Sequence, residues 1–346
     1  MKKEFDIKHN CFDILRYLAA FAVMMLHYTY YAFMEAEQAW LFMDRLRKTS
    51  QIFSGVAVFI GISGFLISDS MERAKSKKEF LIKRVFRLYP ELWLCTIVNV
   101  VFLLIVAGEH LDSSIIIWIF TQIIGFANTP SCLANFATGS INGALWTILV
   151  EVQLYIILCF AYKKLKKMKF YAWCILLCGT IAVNLICGYL TASNLGSIFS
   201  KLLERSFLPY AIWFFIGAFC YCYKEKVINI LKWTMLPLLI CYLYFHMDGV
   251  VQPGYYIEIN ASILTPFIII GLAYILPAFR IKCDLSYGMF LYHWIVLNLI
   301  VHHGWMQTWP WQVCLVFFIV VTLVMAWISR MVTEKILFKV RKSREL

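Results

Sequence analysis

Long apolar runs, separated by short polar segments, recur along the whole chain. Each run has about 17–25 residues, the length that an α-helix needs to cross the hydrocarbon layer of a bilayer. The runs lie near residues 12–34, 51–70, 88–107, 145–162, 170–190, 207–222, 228–246, 261–279, 285–303 and 311–330. This pattern predicts an all-α, polytopic membrane protein with about ten transmembrane helices.

Basic residues concentrate in every second segment between the runs. The basic segments are 71–87, 163–169, 224–226, 280–282 and 339–344, together with the N-terminal Lys2, Lys3 and Lys8. The alternate segments 108–144, 191–206, 247–260 and 304–310 carry few or no basic residues, and only segment 35–50 is mixed. Short basic segments remain in the cytoplasm, so the pattern predicts that both termini are cytoplasmic.

Segment 113–126 is apolar but too short to span a bilayer. We interpret it as a re-entrant or interfacial helix within an extracytoplasmic cap over 108–144. With no long polar stretch and no cleavable signal, residues 1–346 are expected to form one integral-membrane domain without a fused soluble domain. The expected location is the inner or plasma membrane, as a multi-pass protein in contact with membrane lipid.

The composition supports this class. Of 346 residues, 62% are hydrophobic and only 15% are charged, whereas soluble domains are nearer half apolar and one quarter charged. The net charge of +12 is explained by the basic segments, so we expect no nucleic-acid partner. The twelve cysteines have no metal-binding spacing, so we expect no metal. Homo-oligomerisation is left open.

The first run carries an arginine and a histidine eleven positions apart, Arg16 and His27. On a helix they share one face and lie roughly 16 Å apart along the axis. Such a stripe is costly in a membrane unless it faces protein or water, which favours the wall of a reaction channel. The alternative is a snorkelling Arg16 and a hydrogen-bonded packing histidine.

Glu151 lies about seven residues into the fourth run, at a depth similar to that of His27. An ionisable carboxylate there is a candidate for function, and it could orient the imidazole and stabilise its protonated form. The alternative is a structural hydrogen bond to an arginine or a tyrosine.

Arg84 and Arg87 are three residues apart, so they are neighbours on a helix at the cytoplasmic start of the third run. With Lys83 they could clamp a phosphate group, which arginine binds through two parallel hydrogen bonds. The alternative is an orientation signal that also contacts lipid headgroups. In the ninth run, His293 is either a second proton carrier or a packed structural residue.

The chain resembles the membrane acyltransferase-3 family through five short motifs in order. The matching residues are Asp13, Arg16 and His27 in the first run; Phe59, Ser63, Gly64, Phe65 and Leu66 in the second; Arg84, Arg87, Tyr89 and Pro90 at the start of the third; Trp146, Thr147 and Glu151 in the fourth; and Ser286, Tyr287, Leu291 and His293 in the ninth. The resemblance covers nearly the whole chain. Phe290 replaces the family's usual tyrosine, and Tyr17 replaces a small residue.

This resemblance implies an acyl donor, usually acetyl-CoA, taken from the cytoplasm, and an acceptor hydroxyl on a sugar at the outer face. We therefore expect an O-acetyltransferase of a cell-surface or secreted polysaccharide or its lipid-linked precursor, with acyl-CoA as a substrate and no permanently bound cofactor. There are two alternatives within the enzyme class: transfer of another acyl group such as succinyl, or transfer to a small secreted molecule. A third alternative is a non-enzymatic glycan or metabolite exporter.

The resemblance and the chemistry together suggest roles for these residues. His27 is the expected general base, with Glu151 holding its tautomer. Arg16, Arg84 and Arg87 would bind the phosphates of acyl-CoA. Supporting roles are expected for Asp13, Ser63, Tyr89, Trp146, Tyr287 and His293, with Tyr287 or Ser63 as a donor to the oxyanion. A covalent relay through a histidine or tyrosine remains open beside direct transfer.

Overall fold

A computed structural model describes residues 6–35, 40–108, 111–247 and 254–344, and over these ranges the chain forms helices and no strand. The helices are α1 (Phe12–Glu35), α2 (Trp40–Gln51), α3 (Gly55–Arg73), α4 (Lys77–Val106), α5 (Ser114–Ile124), α6 (Trp146–Lys167), α7 (Phe170–Ser193), α8 (Ile198–Glu204), α9 (Ala211–Cys222), α10 (Lys224–Met247), α11 (Ile259–Ile275), α12 (Ser286–His302), α13 (Trp305–Thr308) and α14 (Trp311–Arg344). Lys2, Lys3 and residues 109–110 of the expected cap lie outside the described residues.

Seven helical segments in the described part of the chain are long and apolar enough to cross a membrane. They are Leu41–Arg73, Lys77–Val106, Gly143–Lys167, Phe170–Ser193, Ile198–Cys222, Lys224–His246 and Trp311–Phe338. The all-helical class is therefore confirmed, whereas the count of ten spans and the cytoplasmic termini stay predictions. The helices α11 and α12, where two further spans are expected, have 17 residues each.

Two stretches expected to connect spans have structure of their own. Helix α3 ends at Arg73 and α4 begins at Lys77, so the basic segment 71–87 is mostly helix rather than loop. Helix α4 continues through Pro90, which places Arg84 and Arg87 on the same helix as the third apolar run. Helix α5 has only 11 residues, as expected of a segment that does not span the bilayer.

The chain divides into two compact units. The first unit comprises Met1–Ala19, Ile52–Ile82 and Val150–Lys282, and the second comprises Ala20–Gln51, Lys83–Leu149 and Cys283–Leu346. We describe the interior of each unit in turn.

The interior of the first unit is built on the contact between α3 and α9. A Cβ atom added at Gly64 would lie 2.0 Å from the carbonyl oxygen of Phe214, and one added at Gly217 would lie 2.2 Å from that of Gly61. Only glycine at both positions lets the two backbones approach this closely, as is common between membrane helices. The glycines of the second apolar run therefore form a packing face.

The interior of the second unit is built on α12, in which every residue from Gly288 to Asn298 is buried. Gly288 allows α12 to approach α14, because a Cβ atom there would lie 2.8 Å from the Cβ of Ala326. An ion pair between Arg330 on α14 and the buried Glu91 on α4, 3.2 Å between nitrogen and oxygen, also lies in this unit. Helix α12 is thus the central, buried helix of the second unit.

Candidate active site

Two histidines from distant parts of the sequence meet inside the second unit. The Nδ1 atom of His27, on α1, lies 2.9 Å from the Nε2 atom of His293, on α12, and the ring planes are within 5° of parallel. His293 is fully buried, whereas His27 keeps part of its surface exposed. The structure therefore brings together the two histidines that the sequence singled out, as one hydrogen-bonded pair.

The hydrogen bonds of this histidine pair fix which nitrogen carries each proton. The Nδ1 atom of His293 lies 3.1 Å from the carbonyl oxygen of Met289, which can only accept, so this Nδ1 carries the hydrogen. In a neutral imidazole the other nitrogen, Nε2, is then an acceptor, and it accepts from the Nδ1–H of His27. His27 consequently presents a lone pair on Nε2, which has no hydrogen-bond partner among the described residues. This is the tautomer that a general base requires.

The loop over residues 138–145, which we call the cap loop, is tied to α12 by two asparagines. The side-chain amide of Asn298 donates to the carbonyl of Ser140 at 3.0 Å, and its oxygen accepts from the hydroxyl of Thr138 at 2.8 Å. The amide of Asn142 donates to the carbonyl of Leu291 at 2.9 Å. The cap loop is therefore held rigidly against the helix that carries His293.

The indole of Trp294 packs against both rings of the histidine pair. Its ring centroid is 5.0 Å from that of His27 and 6.1 Å from that of His293. In the cap loop, Gly143 lies directly against this indole, since a Cβ atom there would meet its Cζ2 atom at 2.6 Å. Trp294 is the residue of this site that our sequence analysis missed, although its position beside His293 in the ninth run was a signal available to it.

Three further residues expected to support the site lie in the second unit. The hydroxyl of Tyr287, on α12, donates to the carbonyl of Leu88, on α4, at 3.1 Å. Tyr89 is half-buried on α4, with its ring 5.8 Å from that of Trp93, and Trp146 is half-buried at the start of α6. Tyr287 thus links two helices, and its hydroxyl hydrogen is already used.

The two arginines of the third motif lie one turn apart on α4, as expected. Arg84 is half-buried and Arg87 is exposed. Arg87 has no acidic partner among the described residues, so its guanidinium is available to bind an anion. An exposed arginine beside a second one is suited to two-point binding of a phosphate.

The remaining candidate residues lie in the first unit. Arg16 pairs with Asp13 at 2.6 Å, and the other carboxylate oxygen of Asp13 accepts the backbone N–H of Ile281 at 3.1 Å. The Oε1 atom of Glu151 accepts a hydrogen bond from the hydroxyl of Ser63 at 3.0 Å and another from the hydroxyl of Tyr155. The glutamate–tyrosine hydrogen bond that the sequence left as an alternative is therefore present.

The structure thus groups the candidates into His27 with His293, Ser63 with Glu151, and Asp13 with Arg16. His27 and Glu151 belong to different units, so their direct pairing stays a prediction. The Nδ1 atom of His27, through which an orienting group acts, is bonded to His293. Within the described residues no three His, Cys, Asp or Glu side chains are grouped so as to hold a metal ion.

Comparison with known proteins finds one family profile and similar proteins. A family profile described as an acyltransferase domain matches residues 9–330. Nodulation protein 10 of Rhizobium leguminosarum bv. viciae is 27% identical over 330 residues, covering 87% of this chain and 86% of that protein. An O-acetyl transferase of Shigella phage Sf6 is 29% identical over 314 residues, covering 88% and 89%.

No solved structure matches this chain significantly. The family profile nevertheless covers nearly the whole sequence, and this removes the exporter alternative. The chain belongs to the membrane acyltransferase-3 family and is an O-acyltransferase.

Proposed function

We propose that this protein transfers an acetyl group from cytoplasmic acetyl-CoA to a hydroxyl of a cell-surface or secreted polysaccharide, or of its lipid-linked precursor, in the inner or plasma membrane. The observation that supports it most is the histidine pair, which gives His27 an available basic nitrogen. The name of the phage relative supports acetyl as the transferred group. The class of acceptor follows from the family resemblance.

The donor is bound through its phosphates. Arg87 offers an exposed and unpaired guanidinium, and Arg84 lies one turn away on the same helix. Two arginines at this spacing hold a phosphate bidentately, with a geometry that lysine does not reproduce. Arg16, which is expected to assist them, is paired with Asp13 and contributes less free charge.

His27 then acts on the acceptor. Its Nε2 atom takes the proton of the sugar hydroxyl while the hydroxyl oxygen attacks the thioester carbon. The carbon–oxygen bond forms, and the carbonyl electrons move onto oxygen. When the tetrahedral intermediate collapses, the carbon–sulfur bond breaks and the sulfur receives the same proton from His27. The products are the acetyl ester and CoA thiol, with no net gain or loss of protons.

His293 orients this base. It accepts the Nδ1–H of His27 and is itself fixed by the Met289 carbonyl, so it performs the task that a carboxylate performs in a serine-hydrolase triad. Glu151 is the second candidate for this task. Its carboxylate already accepts two hydroxyl hydrogens within the first unit, which favours a role in holding α3 and α6.

The test is acetyl-CoA turnover by the purified protein in nanodiscs, with a surface-glycan extract as acceptor. We expect CoA thiol to be released only when the acceptor is present, and mass spectrometry to detect an added acetyl group on the glycan. Succinyl-CoA is the matched alternative donor. If neither donor is consumed in the presence of acceptor, the proposed donor class is wrong.

Release of thiol with acetyl left on the protein would instead support a covalent relay. Acid-quenched protein should carry no acetyl group if transfer is direct. This measurement separates the two mechanisms that the sequence left open.

A further inference from the structure

A hydrogen-bond donor in the second unit is buried without an acceptor. The indole Nε1–H of Trp294 has no partner among the described residues, and the residue is only 6% exposed. Buried polar groups in native proteins are nearly always hydrogen-bonded, so such an exception needs an explanation. One explanation is that the acceptor arrives with the substrate.

The position of this donor sets it apart from similar ones. Trp173 and Trp213, in the first unit, also have unpartnered indole N–H groups, but their rings pack against Phe219 and Tyr210, respectively. The ring of Trp294 packs against the imidazole of His27, with centroids 5.0 Å apart and planes inclined by 46°. The ring that carries the unpartnered donor therefore packs against the imidazole that we assign as the base.

The cap loop holds the indole in a single place. A Cβ atom at Gly143 would lie 2.6 Å from Cζ2 of Trp294 and 3.0 Å from Cε2, the carbon bonded to Nε1. Only glycine allows the loop to press on this edge of the ring. Because Asn142 and Asn298 bind the same loop to α12, the edge of the ring that bears the N–H is preorganised.

The two hydroxyl groups that the sequence suggested as hydrogen-bond donors to the oxyanion already donate to other groups. The hydroxyl of Tyr287 donates to the Leu88 carbonyl, and that of Ser63 donates to Glu151. A hydroxyl has one hydrogen to donate, so neither group can stabilise an oxyanion without giving up its present bond. The Nε1–H of Trp294 would have no existing hydrogen bond to break.

We propose that the Nε1–H of Trp294 donates to the carbonyl oxygen of the bound acyl group and stabilises the oxyanion that forms on it. The inference rests on the proposed function. As the acceptor hydroxyl attacks, the carbonyl oxygen gains the electron pair and the hydrogen bond from Trp294 strengthens. When the carbon–sulfur bond breaks, the carbonyl reforms and the bond weakens, so the donor acts mainly in the transition state.

The experiment compares Trp294→Phe with Trp213→Phe in nanodiscs, using acetyl-CoA and the surface-glycan extract. Trp294→Phe should lower kcat by about 100- to 1,000-fold, the usual effect of removing one oxyanion donor. The KM for acetyl-CoA should stay within about threefold, because the interaction matters little in the ground state. Trp213→Phe, which removes an equally buried unpartnered N–H, should leave kcat unchanged.

A second variant removes the N–H without changing the ring. Benzothienylalanine at position 294 replaces the N–H by sulfur and should reproduce the loss of kcat. Gly143→Ala, which displaces the ring edge, should lower kcat in the same direction. Binding of the ketone analogue of acetyl-CoA, which has a carbonyl but no leaving group, should be similar in all variants.

The outcomes separate this inference from the function on which it rests. If the wild-type protein consumes acetyl-CoA and benzothienylalanine at position 294 leaves kcat unchanged, Trp294 is not the oxyanion donor and the proposed function stands. If the wild-type protein consumes neither acetyl-CoA nor succinyl-CoA, the proposed function and the role of Trp294 fail together.

Discussion

The Nδ1 atom of His27 lies 2.9 Å from the Nε2 atom of His293, and the buried partner is fixed by the Met289 carbonyl. This chain of acceptors gives each proton a defined place and leaves the lone pair of His27 on Nε2. In the proposed reaction, this Nε2 atom takes the proton of the acceptor hydroxyl. It also makes His293 a positioning residue, because it acts on substrate only through His27.

The role of His293 can be tested with one variant that removes the hydrogen-bond acceptor at this position and one that keeps an acceptor there. In His293→Leu the Nδ1–H of His27 loses its partner, so the wrong tautomer becomes populated and kcat should fall by about tenfold or more. In His293→Gln the amide oxygen can take the place of Nε2 and should restore part of the activity. Steady-state kinetics of both variants measure this difference. Equal loss in the two would mean that His293 only fills space.

Glu151→Gln tests the other candidate for orienting the base. Its amide keeps the size of the carboxylate and can still accept hydrogen bonds from Ser63 and Tyr155 through its oxygen. If Glu151 is structural, the variant should keep kcat within about threefold and melt at a slightly lower temperature. A loss of kcat larger than that of His293→Leu would return the orienting role to Glu151.

Donor binding should depend on the arginine pair of α4. Arg87→Ala and Arg84→Ala should each raise the KM for acetyl-CoA by about tenfold, the size expected for one charge-assisted hydrogen bond in a partly exposed site. Arg87→Lys and Arg84→Lys should raise this KM less than the alanine variants but still above the wild-type value, because lysine cannot bind bidentately. Lys78→Ala, an exposed cation on the same helix, serves as the control and should leave KM unchanged.

The glycines at the contact of α3 and α9 make a prediction about stability. Gly64→Ala places a methyl group 2.0 Å from the Phe214 carbonyl oxygen, so the backbones have to separate and the protein should lose about 1–3 kcal/mol. Gly179→Ala is the matched control, because a Cβ there meets nothing within 4 Å. Thermal unfolding in detergent measures both. A melting temperature of Gly64→Ala equal to that of Gly179→Ala would contradict this packing.

Much of the fold could be predicted from hydropathy alone, because each membrane helix must satisfy its own backbone hydrogen bonds. The helical class and the short α5 follow from run length. The helical structure of most of segment 71–87 could not be predicted in this way. Its polar part, Lys77–Arg87, is helical because it continues into an apolar helix. Charge alone does not distinguish a loop from a polar helical extension.

The candidate residues could be found one by one from the sequence, but not their partners. Depth in the membrane suggested that His27 pairs with Glu151, which stays a prediction, but it gave no sign of the hydrogen bond between His27 and His293, 266 residues away. Depth along a helix fixes one coordinate and leaves the packing of helices undetermined. Trp294 was missed for a related reason: an unsatisfied N–H is visible only when the neighbours of the ring are known.

The most direct test of the central claim separates donor binding from turnover in His27→Ala. Removing the base should lower the acetyl-transfer rate by about 100- to 10,000-fold. The affinity for acetyl-CoA, measured by isothermal titration in nanodiscs, should remain close to that of the wild-type protein, because the phosphates bind at Arg84 and Arg87. If His27→Ala transfers acetyl at the wild-type rate, His27 is not the base and the account of the site is wrong.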